Sequence, residues 1–118
     1  MCLDYITKRA DEMPAAAIGY KEVIPTCDGR FTPFWRGTSR MYAGLKGGWA
    51  VSDEEMSLPY GMYPRTYQCG VHAYAEKKRF PYNGTVKVLL RGPICEGEEQ
   101  RRRVLVYREM TILEEVHD

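Results

Sequence analysis

The chain has 118 residues, a formal net charge of +1, 44% hydrophobic residues and 28% charged residues. These values are typical of a small globular protein, so the sequence predicts one domain over residues 1–118. The near-zero net charge argues against bulk attraction to a nucleic-acid polymer. No run approaches the ~20 apolar residues of a membrane-spanning helix, so no membrane partner is expected.

The first ten residues carry early charges and lack the apolar segment of a secretory signal. The four cysteines are widely scattered and match neither a disulfide framework nor a metal knuckle. They are Cys2, Cys27, Cys69 and Cys95. These features predict a cytoplasmic protein with reduced thiols.

The first two thirds of the sequence predict mostly short β-strands. Met1 to Pro14 is polar and is interpreted as a tail or a strand that pairs late, and residues 19–25 read as a strand that stops at proline. Asp28-Gly29 favours a turn, and Phe31 to Trp35 returns as an edge or bulged strand because Pro33 lies within it. Ser52 to Met56 has the capping pattern of a single helical turn.

The last third is more regular. His72 to Arg79 suits a short helix with cations near its carboxyl end, and Asn83-Gly84 is a strong turn signal. Val86 to Leu90 alternates like a strand with one buried face, although Leu89 breaks the alternation and leaves open a strand covered on both sides. Two further strands are expected over residues 104–107 and 110–116. Glu96 to Arg101 is interpreted as an exposed charged loop. The predicted fold is α+β, an antiparallel sheet of about five or six strands with one or two short helices.

His72 permits three interpretations. In the first, His72 is a general base or a ribose contact of an ADP-ribosyltransferase-like enzyme that acts on NAD, and the glutamate that such an enzyme needs late in its sequence is Glu109 or Glu114. In the second, His72 contacts a bound ligand. In the third, it is a structural residue with local hydrogen bonds. Cys69 and His72 have the spacing of half a zinc site, but the other two ligands that zinc requires are not evident. We therefore predict no metal and no cofactor.

Several arginines are candidates for binding a phosphorylated ligand. The cluster Arg101-Arg102-Arg103 has the fork geometry that matches phosphate oxygens, although the same residues can instead balance the acids at 96, 98 and 99. Arg30 and Arg65 lie among aromatic residues, a combination that can sandwich a purine. No phosphate-binding glycine motif is present, which disfavours NTP hydrolysis and dinucleotide oxidoreduction.

Short blocks spread over the chain resemble a group of small phage and bacterial proteins. These blocks are Met1-Cys2-Leu3, Gly19-Tyr20-Lys21, Asp28-Gly29-Arg30, Gly70-Val71-His72-Ala73-Tyr74 and residues 108–115. Within that group, the order of features is similar to the phage anti-Thoeris sponge proteins. Those proteins are non-enzymatic oligomers that capture cyclic ADP-ribose-type immune signals, and some also bind cyclic oligonucleotides.

The resemblance implies a homo-oligomer in the host cytoplasm that sequesters a cyclic nucleotide and has no catalytic residue. It implies that an aromatic residue, an asparagine and a later arginine line the pocket, here Tyr74, Asn83 and one of residues 101–103. The Asn-Gly turn is by itself another explanation for Asn83. The full set of predicted ligand contacts is Arg30, Arg65, His72, Tyr74, Asn83, Arg101, Arg102 and Arg103. A protein-interaction module that uses the nine tyrosines is a further alternative.

Overall fold

The computed structural model describes residues 3–25, 31–33, 48–50, 55–59, 64–68, 70–77 and 84–116. These ranges contain a single 3-10 turn at Ala10–Glu12 and nine strands. The strands are β1 (Tyr5–Arg9), β2 (Ala16–Pro25), β3 (Phe31–Pro33), β4 (Gly48–Ala50), β5 (Glu55–Ser57), β6 (Thr66–Gln68), β7 (Val71–Tyr74), β8 (Gly84–Glu99) and β9 (Arg102–Val116).

A long hairpin of β8 and β9 organises the fold. The two strands pair from Glu99↔Arg102 at the tip to Thr85↔Val116 at the base. The other edge of β8 pairs with β1 near the tip and with β2 near the base, and the other edge of β9 pairs with β7 and β4. A bridge between Tyr20 of β2 and Tyr74 of β7 closes the ring β2-β8-β9-β7. Strand β3 extends β2, and β5 pairs with β6 in a separate small sheet.

The centre of the sheet is buried on both faces. All four residues of β7 are buried, as are the four residues 104–107 that pair with them in β9. Alternate side chains of these strands point to opposite faces and enter two cores. One core combines Val71, Ala73, Leu105 and Tyr107 with apolar residues of the hairpin base. The other combines Leu3, Tyr67, Tyr74, Cys95, Val104 and Val106.

The α+β prediction is wrong, because the described residues are nearly all β and include no helix of seven or more residues. Residues 72–74 of the predicted helix lie in β7, and residues 75–77 are bends or coil. The two-sided burial explains the error, since a strand covered on both faces loses the alternation that identifies it. The predicted helical turn at Ser52 to Met56 overlaps β5, and residues 52–54 fall outside the described ranges, as do 78 and 79.

The predicted loop from Glu96 to Arg101 is also wrong for most of its length. Strand β8 continues to Glu99, with a bend at Gly92, where φ is +73°, and a register shift next to Pro93. A bulge of this kind lets a strand pass through a proline without ending. The hairpin therefore extends well beyond the strand predicted over residues 86–90.

The strand predicted over residues 19–25 is confirmed as part of β2, and residues 5–9 of the expected tail or late-pairing strand form β1. Phe31 to Pro33 form β3, whereas Phe34 and Trp35 lie outside the described ranges, together with the turns predicted at Asp28-Gly29 and at Asn83. Within the part of the chain that is described, no helix is long and apolar enough to cross a membrane.

Candidate functional site

A cavity of about 510 Å³ lies at the tip of the β8–β9 hairpin, and we call it the tip cavity. Four adjacent strands build it, in the order β1-β8-β9-β7. It is lined by Thr7, Tyr74, Glu76, Glu96, Glu98, Gln100, Arg101, Arg102 and Arg103. A volume of this size suits a small organic ligand.

The tip cavity brings together four of the predicted ligand contacts. Tyr74 reaches it because β7 ends there, opposite Val104 of β9. The three arginines reach it because the chain reverses at Gln100-Arg101 and re-enters the sheet at Arg102. Aromatic and cationic side chains from separate parts of the sequence thus meet at one end of the sheet.

The reversal at the tip is a two-residue turn in an uncommon conformation. Gln100 has a φ of 48° and Arg101 a φ of 66°, both in the left-handed region. Positive φ at both central residues identifies a type I′ turn, whose twist matches the flanking strands. For a residue other than glycine this region costs roughly 1–2 kcal/mol. The Asp4 carboxylate supports the turn by accepting a hydrogen bond from the Gln100 N–H at 2.8 Å.

One arginine of the cluster is matched within the protein. The Arg103 Nε and Nη2 atoms lie 3.1 and 3.2 Å from the carboxylate oxygens of Glu96, whose side chain is 8% exposed. This hydrogen-bonded pair raises the pKa of Arg103. Arg103 therefore agrees with the interpretation that it balances an acid. All three arginines are exposed, and all three line the cavity.

Acidic and phenolic side chains also lie at or beside the tip cavity. The Tyr5 hydroxyl donates to the Glu98 carboxylate, and this bond raises the pKa of Tyr5. Burial, assisted by the charges of Glu99 and Glu22, raises the pKa of Tyr74 to about 12, and Arg102 acts in the opposite direction. The Tyr74 phenol is therefore neutral at physiological pH. Tyr74 is only 8% exposed and packs in the second core, so it does not offer an open stacking face.

His72 lies in a separate buried network, which we call the His72 cluster: Leu3, Lys21, Tyr67, Gly70 and His72. The His72 Nδ1 atom lies 2.9 Å from the Gly70 carbonyl oxygen, and its Nε2 atom lies 2.8 Å from the Tyr67 hydroxyl. A carbonyl can only accept, so Nδ1 carries the proton and Nε2 accepts from the Tyr67 O–H. The Tyr67 oxygen in turn accepts from the Leu3 N–H at 3.0 Å.

The His72 cluster is closed to solvent and its histidine is neutral. His72 is 5% exposed, and burial, followed by the nearby charge of Lys21, lowers its pKa to about 3. The buried Lys21 Nζ donates to the His72 carbonyl oxygen at 2.8 Å, and burial lowers the pKa of Lys21 to about 8. These contacts describe a structural role for His72, which does not line the tip cavity. Glu109, its suggested partner in an enzyme, is exposed on β9 opposite Arg91 and does not line that cavity either.

Of the remaining predicted contacts that the structure describes, Arg65 is not brought to this site. Arg65 is exposed beside β6, where its carbonyl oxygen accepts from the Leu58 N–H at 2.8 Å. Arg30 and Asn83 lie outside the described residues, and so does Cys69. Among the residues that the structure describes, no group of three or more His, Cys, Asp or Glu is positioned to hold a metal.

Sequence reasoning did not select Thr7, Glu76 or Gln100, and it treated Glu96 and Glu98 only as countercharges. A strand interpretation of residues 94–99 would have placed Glu96 and Glu98 on one face of the sheet. Nothing in the sequence around Thr7 distinguishes it from other exposed residues of the first strand.

Comparisons of this chain with protein-family models, with curated proteins and with solved structures find no match. The site is therefore interpreted from its own geometry and chemistry.

Proposed function

We propose that this protein binds a cyclic nucleotide in the tip cavity and sequesters it without cleaving it. The observation that supports the proposal is the meeting of Tyr74 with Arg101 and Arg102 at one cavity of about 510 Å³. In the proposed complex the exposed guanidinium groups bind phosphate oxygens, since planar forks match them in a bidentate way.

The acids of the same cavity suit the remainder of such a ligand. Glu76 and Glu98 carry carboxylate oxygens that accept hydrogen bonds from ribose hydroxyls or from an exocyclic amine. The Tyr74 ring edge packs against the base or the ribose. A ligand with both anionic groups and hydrogen-bond donors fits this mixture of charges better than a bare anion does.

The biological setting that we propose follows the resemblance to the phage sponge proteins. The protein is phage-encoded, acts in the host cytoplasm as a homo-oligomer and removes an immune signal of the cyclic ADP-ribose or cyclic oligonucleotide type. Size-exclusion chromatography with light scattering tests the oligomer, and a strict monomer contradicts that part of the proposal.

Binding is tested by titration calorimetry with cyclic ADP-ribose isomers and with cyclic di- and trinucleotides. We expect one of these ligands to bind the wild-type protein, and the Arg101→Ala/Arg102→Ala variant to bind it at least about tenfold more weakly, because charge-assisted hydrogen bonds are lost. Arg91→Ala is the matched control, since Arg91 is an exposed arginine of β8 outside the tip cavity. No heat with any of these ligands contradicts the proposal.

The fate of the ligand separates sequestration from catalysis. After incubation with the protein and heat denaturation, chromatography should recover the ligand intact. Conversion to a product would favour the ADP-ribosyltransferase-like alternative and would exclude a sponge. The protein-interaction alternative gains support if no nucleotide binds.

A further inference from the structure

The turn at the tip of the hairpin has a backbone conformation that its residues do not favour. Type I′ turns of two residues prefer Asn-Gly or Asp-Gly, because both central residues need positive φ. Here the two positions hold Gln100 and Arg101, with φ of 48° and 66°. Long unbranched side chains gain nothing from this region of the backbone.

The surroundings hold the turn in this conformation. The Asp4 Oδ2 atom accepts from the Gln100 N–H at 2.8 Å, and the Asp4 N–H donates to the Glu98 carbonyl oxygen at 2.7 Å. The flanking pair Glu99↔Arg102 continues the hairpin register without a shift. A conformation that its surroundings impose on unsuited residues is found most often at functional sites.

Both side chains of the turn line the tip cavity. Arg103, two residues after Arg101, is ion-paired with Glu96 at 3.1 Å, so the exposed arginines of the cavity outside that pair are Arg101 and Arg102. A glycine at either central position would relieve the backbone but would remove a polar side chain from the cavity wall.

We infer that Gln100 and Arg101 determine ligand binding, with Arg101 contacting a phosphate group and the unfavourable turn kept so that both side chains reach the ligand. This inference rests on the proposed function for the identity of the ligand as a nucleotide. The phosphate contact itself requires only a ligand that carries a phosphate or pyrophosphate group.

The test replaces the turn by its favoured sequence, Gln100→Asn with Arg101→Gly. We expect the melting temperature of the unliganded protein to rise by roughly 3 to 8 °C, because positive φ is readily adopted by glycine and tolerated by asparagine. We expect the same variant to bind inorganic pyrophosphate, and whichever cyclic nucleotide the wild type binds, about tenfold more weakly or worse. Arg91→Ala is the control, since it removes an exposed arginine of β8 outside the tip cavity and leaves the turn unchanged. Its melting temperature should equal that of the wild type, and it should keep most of the affinity.

The outcomes separate this inference from the proposed function. Unchanged affinity of the Asn-Gly variant for the bound probes overturns the inference. The proposed function then stands with Arg102, and not Arg101, as its phosphate contact. A wild-type protein that binds pyrophosphate through Arg101 but binds no cyclic nucleotide supports the inference and contradicts the proposed function. A melting temperature that stays constant or falls contradicts the claim that the turn is kept at a cost. Binding of neither probe by the wild type overturns both proposals.

Discussion

The His72 cluster and the tip cavity lie in the same small protein, and they differ in how their polar groups are matched. In the His72 cluster, the hydrogen bonds run from the Leu3 N–H through Tyr67 to His72 and end at Gly70, all buried. At the tip cavity, Arg101 and Arg102 line an open volume, and the turn at Gln100-Arg101 has an unfavourable backbone conformation. Buried polar groups with complete partners specify a fold, whereas exposed charges on a constrained backbone suit ligand binding. His72, which stands out in the sequence, therefore has a structural role. The Gln100-Arg101 turn, which does not stand out, is part of the candidate site.

The largest loss of stability is expected from a substitution that prevents β1 from packing against β8. Both the His72 cluster and the tip cavity depend on that packing. A Cβ atom at Gly97 would lie 2.2 Å from the Tyr5 carbonyl oxygen and 2.8 Å from the Leu3 Cδ1 atom. We expect Gly97→Val to destabilise the protein by about 3 kcal/mol or more, because the neighbour is backbone and cannot move aside. Urea denaturation measures this loss, with Lys8→Ala as an exposed control on β1 that should change stability by less than ~0.5 kcal/mol. A Gly97→Val protein as stable as the wild type contradicts this packing.

The second effect should separate the two regions. Tyr67→Phe removes the hydroxyl that serves both Leu3 and His72, and it leaves a buried donor and a buried acceptor unmatched. We expect a loss of about 2–4 kcal/mol in the free energy of unfolding, with ligand affinity of the folded protein unchanged. Calorimetric titration at a temperature where the variant remains folded checks the second part. A large loss of affinity at full folding would show that the two regions are not separate.

The third expected effect is a loss of stability at acidic pH, and its cause is the lowered pKa of His72. Its pKa is about 3 in the folded protein and near 6.5 in the unfolded chain, so the unfolded chain binds more protons between these values. Stability should therefore fall as the pH decreases below 6.5, by up to about 1.4 kcal/mol per pH unit.

His72→Gln is the control for this dependence, because other carboxyl groups also titrate in acid. The difference in unfolding free energy between wild type and variant, measured between pH 6.5 and 4.5, should shrink as the pH is lowered. A difference that is constant over this range would mean that His72 is protonated in the fold.

The smallest effect lies at alkaline pH. Lys21 has a folded pKa of about 8 against about 10.5 in the unfolded chain, so its charged form opposes folding at neutral pH. Stability should rise as the pH increases from 8 towards 10.5, by at most about 1.4 kcal/mol per unit. Lys21→Met should lack this rise in thermal denaturation at matched ionic strength. An identical pH profile for the variant would place the alkaline dependence elsewhere.

Part of the fold follows from the sequence. Residues 86–90 and 110–116 show the alternation of half-buried strands, and β2 stops at Pro25 as proline predicts. The α+β prediction is wrong at His72 to Tyr74, because a strand buried on both faces does not alternate polar and apolar residues. Helix formers and cations over residues 73–79 then favoured a helix that tertiary pairing with β9 overrides.

The candidate site was found in part. The resemblance implies Tyr74 and the chemistry of guanidinium groups predicts the arginine cluster, and both line one cavity. The turn at Gln100-Arg101 was not predictable, because neither residue favours positive φ and Asn83-Gly84 is the better turn signal. Thr7 and Glu76 reach the cavity only through strand pairing, which local patterns do not specify.

The most direct test maps ligand binding onto the backbone by nuclear magnetic resonance. Cyclic ADP-ribose isomers and cyclic oligonucleotides are titrated into isotope-labelled protein, and amide shifts are followed at the hairpin tip and at the His72 cluster. We expect one of these ligands to shift the amides of residues 98–103 and to leave those of Gly70, Val71 and His72 in place. Shifts centred on Gly70 to His72, or no shift with any of these ligands, would contradict the account.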